Sequence, residues 1–174
     1  NVTIELGRRW LRDYRPAGPV ADCGGAFAGY YSQGGLPLKP LFDEAGLGYL
    51  TVDLYQKADL VADLCETPVF HVGVVHGVWS PPWGAAVCSD ALMYCRDPVA
   101  FGRNVGMMIP KGRMLMAVAQ ESGERRGDHE KDFWRFTDAG LRLVFSAFEP
   151  LEHGIQEDRE RSSERFVYMI GGRR

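Results

Sequence analysis

Apolar residues along this chain fall into short runs separated by polar stretches rich in glycine and proline. Runs at 49–52, 60–62, 84–88 and 114–119 are rich in β-branched and other apolar residues and predict strands. The run at 114–119 does not alternate with polar residues, so this strand is expected to be covered on both faces. Shorter runs at 20–22 and 166–170 predict a first and a last strand.

Helical spacing appears in two segments of the first two thirds of the chain. Residues 1–15 carry apolar side chains among arginines and predict an amphipathic helix that ends before Pro16. Residues 98–108 predict a helix with Asp97 as its N-cap and Pro98 at its first position. A shorter helical piece is expected at 41–45, closed by Gly46.

A last helix is predicted to begin at Thr137 or Asp138 and to end by Pro150. Its apolar positions fall three or four residues apart, namely Leu141, Val144, Phe145 and Phe148. The charged run 156–165 is expected to be a solvated loop or a hairpin.

Strands that alternate with helices predict an α/β fold with a mostly parallel central sheet and helices on both faces. In such sheets ligands bind beyond the carboxyl ends of the strands. Four aspartates end predicted strands, namely Asp22, Asp53, Asp63 and Asp90. They indicate either a shared polar ligand at that edge or caps of the segments that follow each strand.

The chain has 174 residues, a length that fits one domain, and we expect a single domain over 1–174 with a helical extension at 1–18 and a core at 19–174. Its 20 basic and 23 acidic residues give a net charge of −3, which argues against a generally basic nucleic-acid binder. No apolar stretch approaches the roughly 18 residues of a membrane span, so no membrane contact is expected.

Metal binding is not expected from the cysteine and histidine pattern. The four cysteines form no C-x-x-C pair, which argues against a zinc site. His71 and His76 have no further ligands in register. We interpret the cysteines as reduced thiols in a cytoplasmic protein, while the first residue, Asn1, leaves an organellar location open.

Several motifs occur together in a characteristic order. A strand enters a glycine turn at 20–25, acids follow strands at 49–53 and 58–64, and further strands and loops follow at 86–98 and 109–116. From about residue 19 to residue 148 this order resembles the class I S-adenosylmethionine-dependent methyltransferases of the type-11-like kind. The resemblance implies a Rossmann-like methyltransferase fold with an antiparallel C-terminal strand, and S-adenosylmethionine as cofactor.

The resemblance also implies roles for individual residues. Glycine at positions 24 and 25 would let the backbone approach the methionine part of the cofactor. The acid at position 53 would bind the ribose hydroxyls, and the acid at position 63 would lie near the adenine amino group. The implied cofactor-binding residues are Asp22, Gly24, Gly25, Asp53, Asp63 and Ser89. His129 is the candidate general base toward an unidentified oxygen or nitrogen acceptor.

Departures from the family pattern support a second hypothesis. The glycine motif ends in Ala26, and Asp53 follows Asp22 by 31 positions rather than the roughly 20 of dinucleotide-binding relatives. A Trp/Pro-rich strip at 79–83 is suited to docking a partner. The alternative is therefore a catalytically inactive domain that serves as a structural or binding subunit of a larger assembly, such as a ribonucleoprotein. A nicotinamide-binding oxidoreductase is a third option, but the chain lacks a G-x-G-x-x-G turn.

Overall fold

A seven-stranded mixed sheet forms the centre of the structure. The structure is a computed structural model and describes residues 2–25, 38–69, 74–75, 78–79, 83–123, 132–158 and 164–174. The strands of the main sheet are β1 (Val20–Cys23), β2 (Tyr49–Asp53), β3 (Leu60–Val61), β6 (Ala85–Ser89), β7 (Met114–Ser122), β8 (Phe148–Glu157) and β9 (Arg165–Arg173). Two short strands, β4 (Val74–Val75) and β5 (Val78–Trp79), form a separate antiparallel pair.

Helices occupy the connections between these strands. They are α1 (Val2–Asp13), α2 (Lys39–Glu44), α3 (Pro98–Met108) and α4 (Asp138–Val144), with a single 3₁₀ turn at Leu92–Tyr94. Asp97 caps α3 by accepting a hydrogen bond from the Ala100 amide at 2.8 Å. Thr137 caps α4 in the same way through the Gly140 amide. Both caps agree with the prediction from the sequence.

The strand order across the main sheet is β3-β2-β1-β6-β7-β9-β8. The five strands from β3 to β7 are mutually parallel, whereas β9 runs antiparallel to both of its neighbours. The predicted fold class is confirmed: an α/β fold with a mostly parallel sheet and an antiparallel C-terminal strand.

The sheet is covered on both faces, as the strand patterns predicted. On one face, Phe101 and Val105 of α3 and Leu141 of α4 pack against alternate residues of β1, β6, β7 and β9. On the other face, Leu6 and Trp10 of α1 join Phe42 of α2 over the remaining residues of the same strands. Among the described residues, no helix is both long enough and apolar enough to cross a membrane.

The N-terminal helix is fixed to the far edge of the sheet by a half-buried polar contact. Glu152 of β8 pairs with Arg9 of α1 at 2.9 Å and accepts hydrogen bonds from Tyr14 at 3.0 Å and Tyr168 at 3.1 Å. The Arg9 guanidinium also lies 5.0 Å from the centre of the Tyr168 ring. One carboxylate thus joins α1, β8 and β9.

The prediction for the last helix was wrong at its C-terminal end. The helix ends at Val144, and Phe148 begins the ten-residue strand β8 instead of closing the helix. The apolar spacing that favoured a longer helix is real, because Phe145 and Phe148 both pack in the core. Pro150 is tolerated in this strand because β8 lies at the edge of the sheet, where a residue without an N–H interrupts no hydrogen bond to a further strand.

Replacing Glu152 by alanine is expected to destabilise the fold. The substitution leaves the Arg9 guanidinium and two tyrosine hydroxyls without their common acceptor, at a cost of about 1–3 kcal/mol in the free energy of unfolding. Urea denaturation measures this difference. Glu149→Ala on the same strand is the matched control, because Glu149 is exposed and lies 4.0 Å from Arg174. Equal losses in the two variants would contradict a special role for Glu152.

Candidate functional site at the carboxyl edge of the sheet

Parallel pairing brings the ends of four strands to one edge of the sheet. Asp22 of β1 lies opposite Thr51 of β2 and Val87 of β6, and Asp53 of β2 lies opposite Val61 of β3. The turn after β1 and the acids after β2 and β3 therefore share this edge. The sequence prediction that these strand ends meet agrees with the observed register.

The turn after β1 depends on its two glycines. Gly24 has a φ of +83°, and its amide donates a hydrogen bond to the Val52 carbonyl at 2.7 Å. A Cβ at Gly24 would lie 2.3 Å from the Cβ of Ala91, and a Cβ at Gly25 would lie 1.7 Å from Oδ2 of Asp22. Neither position accepts a larger side chain without rearrangement, because Ala91 and the Asp22 carboxyl group already occupy the space beside the backbone.

Asp22 lies beneath this turn and not on its outer surface. Its side chain is only 4% exposed, and the Tyr49 hydroxyl donates a hydrogen bond of 2.5 Å to Oδ2. Burial raises the pKa of Asp22 to about 7, opposed by the Tyr49 hydrogen bond and reinforced by the nearby carboxylate of Asp53. Asp22 is therefore a buried acid that titrates near neutral pH under the glycine turn.

Tyr49 was not singled out from the sequence, although it sets the environment of Asp22. Its ring stacks on Phe42 with centroids 5.2 Å apart, and Phe42 in turn meets Trp10 edge-on at 5.9 Å. A continuous aromatic stack thus runs from α1 to the carboxyl group of Asp22. The only signal in the sequence was that Tyr49 begins a strand adjacent to β1.

Asp53 and Asp63 are half-buried at the ends of β2 and β3. Oδ1 of Asp53 accepts the Tyr55 amide at 3.1 Å, and Oδ1 of Asp63 accepts the Cys65 amide at 2.8 Å. Each acid therefore fixes the turn that follows its own strand, in line with the capping alternative from the sequence. One oxygen of each carboxylate is used in this way.

The thiol of Cys95 lies near both acids. Its pKa is raised above the ordinary value, first by burial, then by the neighbouring Cys65 thiol, and further by the charges of Asp63 and Asp53. The charge of Asp53 also raises the pKa of Asp22, so Asp53 influences both Asp22 and Cys95. The carboxyl edge is thus a region of negative charge.

Ser89 ends β6 and was predicted to contact a cofactor. Its side chain is buried, and its hydroxyl lies 3.0 Å from the hydroxyl of Thr3 in α1. The next residue, Asp90, has a φ of +55°, and its amide donates a hydrogen bond to the Val118 carbonyl. The N-terminal helix therefore reaches the carboxyl edge beside the end of β6.

The segment after β7 borders the same edge with two exposed aromatic side chains. The Trp134 indole donates a hydrogen bond to the Cys95 carbonyl at 2.8 Å, and the Phe133 amide donates one to the Met93 carbonyl at 2.8 Å. Phe133 is 47% exposed and Trp134 is 42% exposed, whereas Phe136 is buried in the core. Phe136 is therefore a packing residue, whereas Trp134 forms part of the surface beside the edge.

A buried ion pair that the sequence analysis missed holds this segment in place. Asp132 is 4% exposed and bonds Arg135 through both of its oxygens, with 2.8 Å between Nη2 and Oδ2. A bidentate pair of this kind fixes the direction of a short loop. An aspartate and an arginine three residues apart would indicate an ion pair within a helix. These two residues lie outside every predicted helix, so their spacing did not indicate the pair.

Some predicted functional residues lie outside the described residues. They are His129, Ala26, His71, His76, residues 80–82 and the side chain of Trp79. Within the described ranges, no group of three or more potential metal ligands gathers in one place.

Comparisons with known proteins give matches among solved structures alone, since no known family profile and no curated protein matches the chain. The chain is similar to TehB from Haemophilus influenzae, with a TM-score of 0.56 and 14% identity over 98% of the chain. It spans 62% of the length of TehB.

Two further structures carry methyltransferase names. One is the 1,6-didemethyltoxoflavin-N1-methyltransferase of Burkholderia thailandensis, with bound 1,6-didemethyltoxoflavin and S-adenosylhomocysteine. It matches with a TM-score of 0.65 and 13% identity, over 98% of this chain and 77% of the other. The other is a methyltransferase in complex with the Haloferax volcanii Trm112 activator. It matches with a TM-score of 0.60 and 15% identity, over 96% of this chain and 97% of the other. The strand order and these similarities show that the chain has the Rossmann-like methyltransferase fold.

Proposed function

We propose that the chain is an S-adenosylmethionine-dependent methyltransferase that acts on an oxygen or nitrogen atom of an unidentified acceptor. The observation that carries the proposal is the carboxyl edge of the sheet, where the Gly24–Gly25 turn lies beside the acids that follow β2 and β3. The methyltransferase fold and the S-adenosylhomocysteine bound by a structural neighbour support the same assignment.

The residues of this edge fit such a cofactor. S-adenosylmethionine would supply a methyl group on a positively charged sulfur, which is already activated for transfer. The Gly24–Gly25 backbone would contact its methionine part, Asp53 would accept hydrogen bonds from the ribose hydroxyls, and Asp63 would lie near the adenine. Oδ2 of Asp63 is available for this role, because the bond to the Cys65 amide uses Oδ1 alone. Ser89 remains a proposed contact of the same site.

The charge of the edge also fits a cationic cofactor. Asp53 and Asp63 provide negative charge at a half-buried position, where it is screened less than on the open surface. Methyl transfer needs little acid–base chemistry, so holding the acceptor in line with the reacting bond supplies much of the rate. Holding the acceptor in line requires that the residues around it keep fixed positions.

The acceptor is proposed to lie against the segment that contains Phe133 and Trp134. Both rings are exposed beside the carboxyl edge, and the Asp132–Arg135 pair fixes the loop that carries them. Flat aromatic surfaces suit an acceptor with an apolar or aromatic ring. We propose His129 as the base that takes the proton of the acceptor, since a histidine with an ordinary pKa is largely neutral at physiological pH.

An alternative function is a catalytically inactive methyltransferase-like subunit within a protein or ribonucleoprotein assembly. Two of the proposed cofactor residues are engaged by the protein itself, because Asp22 accepts the Tyr49 hydroxyl and Ser89 contacts Thr3. A structural neighbour occurs in complex with an activator protein, which supports a protein partner as an element of either function.

The role of Asp53 is tested by the variant Asp53→Asn. The wild-type chain is expected to bind S-adenosylmethionine and S-adenosylhomocysteine in isothermal titration calorimetry. The variant is expected to bind about ten-fold or more weakly, because hydrogen bonds to a charged acceptor are replaced by weaker ones to an amide.

Asp43→Asn is the matched control, since Asp43 is an exposed aspartate of α2 that forms an ion pair with Lys39. Its binding is expected to equal that of the wild type. Binding that is unchanged in Asp53→Asn would refute the assignment of Asp53, whereas a wild-type chain that binds neither compound would favour the inactive subunit.

The raised pKa of buried Asp22 predicts that the stability of the fold depends on pH. An aspartate of an unfolded chain titrates near pH 4, while Asp22 in the folded chain has a pKa of about 7. Between these values the folded state binds more protons than the unfolded state, so the free energy of unfolding falls as the pH rises. The stabilising effect is fully present below about pH 4 and is lost as the pH rises through about 7.

Asp22→Asn is expected to remove this dependence, because the amide stays neutral and keeps a similar shape. The free energy of unfolding of the variant, relative to the wild type, is expected to rise by at least about 1.4 kcal/mol from about pH 4 to about pH 8. Urea denaturation across this range measures the effect, with Asp43→Asn as a variant that should show no such trend. A constant difference between Asp22→Asn and the wild type would mean that Asp22 is ionised in the folded chain at acidic pH.

A further inference from the structure

A cavity of about 370 Å³ lies on the side of the sheet that carries α3 and α4. It is bordered by α3, by the turn that joins α4 to β8, and by the end of β9. Gly172 near the end of β9 pairs with Met114, the first residue of β7. The cavity is therefore at the edge where the parallel strands begin, opposite the carboxyl edge with the candidate cofactor site.

The shape of this cavity follows from the packing of the two helices. A Cβ at Gly102 would lie 2.1 Å from the Val144 carbonyl oxygen, so α3 approaches the end of α4 very closely. The helix α4 ends at Val144, whereas α3 continues to Met108. A groove remains along α3 beyond the end of its neighbour, and its size lies within the range of about 300–1,000 Å³ found for small-molecule sites.

Most of the cavity wall is apolar. Val99 and Met107 of α3 stand on one face of the helix and are 55% and 50% exposed, and Val144 and Ala147 complete the apolar wall. Apolar side chains that line a concavity gain free energy when a ligand removes them from water. An apolar ligand segment would therefore be stabilised here.

Two arginines provide the charge of the cavity. The Arg173 guanidinium is held by the carbonyls of Gly106 at 2.8 Å and Ala147 at 3.0 Å, and it lies 6.0 Å from the centre of the Phe148 ring. Arg103 on α3 is exposed. Nη1 of Arg173 also donates a hydrogen bond to the main-chain oxygen of Arg174 at 3.2 Å. Among the described residues, no aspartate or glutamate side chain forms an ion pair with either arginine.

We propose that this cavity is a binding site for a small carboxylate with a short alkyl chain, separate from the site at the carboxyl edge. The Arg103 guanidinium would offer two parallel N–H donors to the carboxylate. Arg173 would contribute Nη2 alone, because its Nε and Nη1 already donate to main-chain oxygens. The alkyl chain would lie against Val99, Met107 and Ala147. This site is independent of the proposed methyl transfer.

Hexanoate is the probe, and the methyl signals of ¹³C-labelled methionines are the readout. Met107 lines the cavity, whereas Met93, Met108 and Met116 are buried in the core and report on global changes. Hexanoate is expected to shift the Met107 signal saturably at millimolar concentration. Hexan-1-ol, which lacks the charge, and acetate, which lacks the chain, are expected to bind at least about five-fold more weakly.

Arg103→Gln removes one charge from the cavity and is expected to weaken hexanoate binding about five-fold. Arg8→Gln is the matched control, because Arg8 is an exposed arginine of α1 on the opposite face of the sheet. An unshifted Met107 signal, equal binding of hexanoate and hexan-1-ol, or equal weakening by the two variants would each overturn the proposal.

Discussion

Parallel hydrogen bonding of β1 with β2 and β6 is the constraint on which the candidate site depends. Parallel pairing requires all carboxyl ends to face the same way, so residues distant in sequence gather at one edge. The bond from the Gly24 amide to the Val52 carbonyl extends this pairing into the turn itself. The turn and the acid at the end of β2 are therefore held by the same ladder, and displacing one strand would displace both.

Burial and the Tyr49 hydrogen bond act on the pKa of Asp22 in opposite directions. The aromatic stack from Trp10 to Tyr49 excludes water from the carboxyl group and favours its neutral form, while the Tyr49 hydroxyl favours the charged form. This environment exists because α1 and α2 cover that face of the sheet. The N-terminal helix thus influences the candidate site in two places, through the stack above Asp22 and through Thr3 beside Ser89.

The elements that could be predicted from the sequence are those specified by a few consecutive residues. The strands at the centre of the sheet and the cap of α3 follow from apolar runs and from Asp97 followed by Pro98. The strand β8 was missed because its inward positions are polar: Glu152 faces Arg9, and Gln156 faces Glu5. In the absence of an apolar alternation, the pairing with β9 and the contacts with α1 explain why these residues form a strand.

The candidate site was predictable only in part, for the same reason. The acids at strand ends could be recognised from their positions in the chain, and the register brings them together. The contacts of Asp22 with Tyr49 and of Ser89 with Thr3 depend on how separate elements pack, and no local spacing encodes them. The ion pair of Asp132 and Arg135 lies in an irregular segment where periodic patterns carry no information.

The composition of β8 has a consequence for how copies of this chain meet one another. An open sheet edge invites another strand to add to it, which is a common route to aggregation. Along β8, Pro150 lacks an amide proton, the register shifts between Pro150 and Glu152, and exposed Glu149 and Glu157 carry like charges. The opposite edge, β3, has only two paired residues. Both borders of the sheet therefore disfavour the addition of a strand from a second copy of the chain.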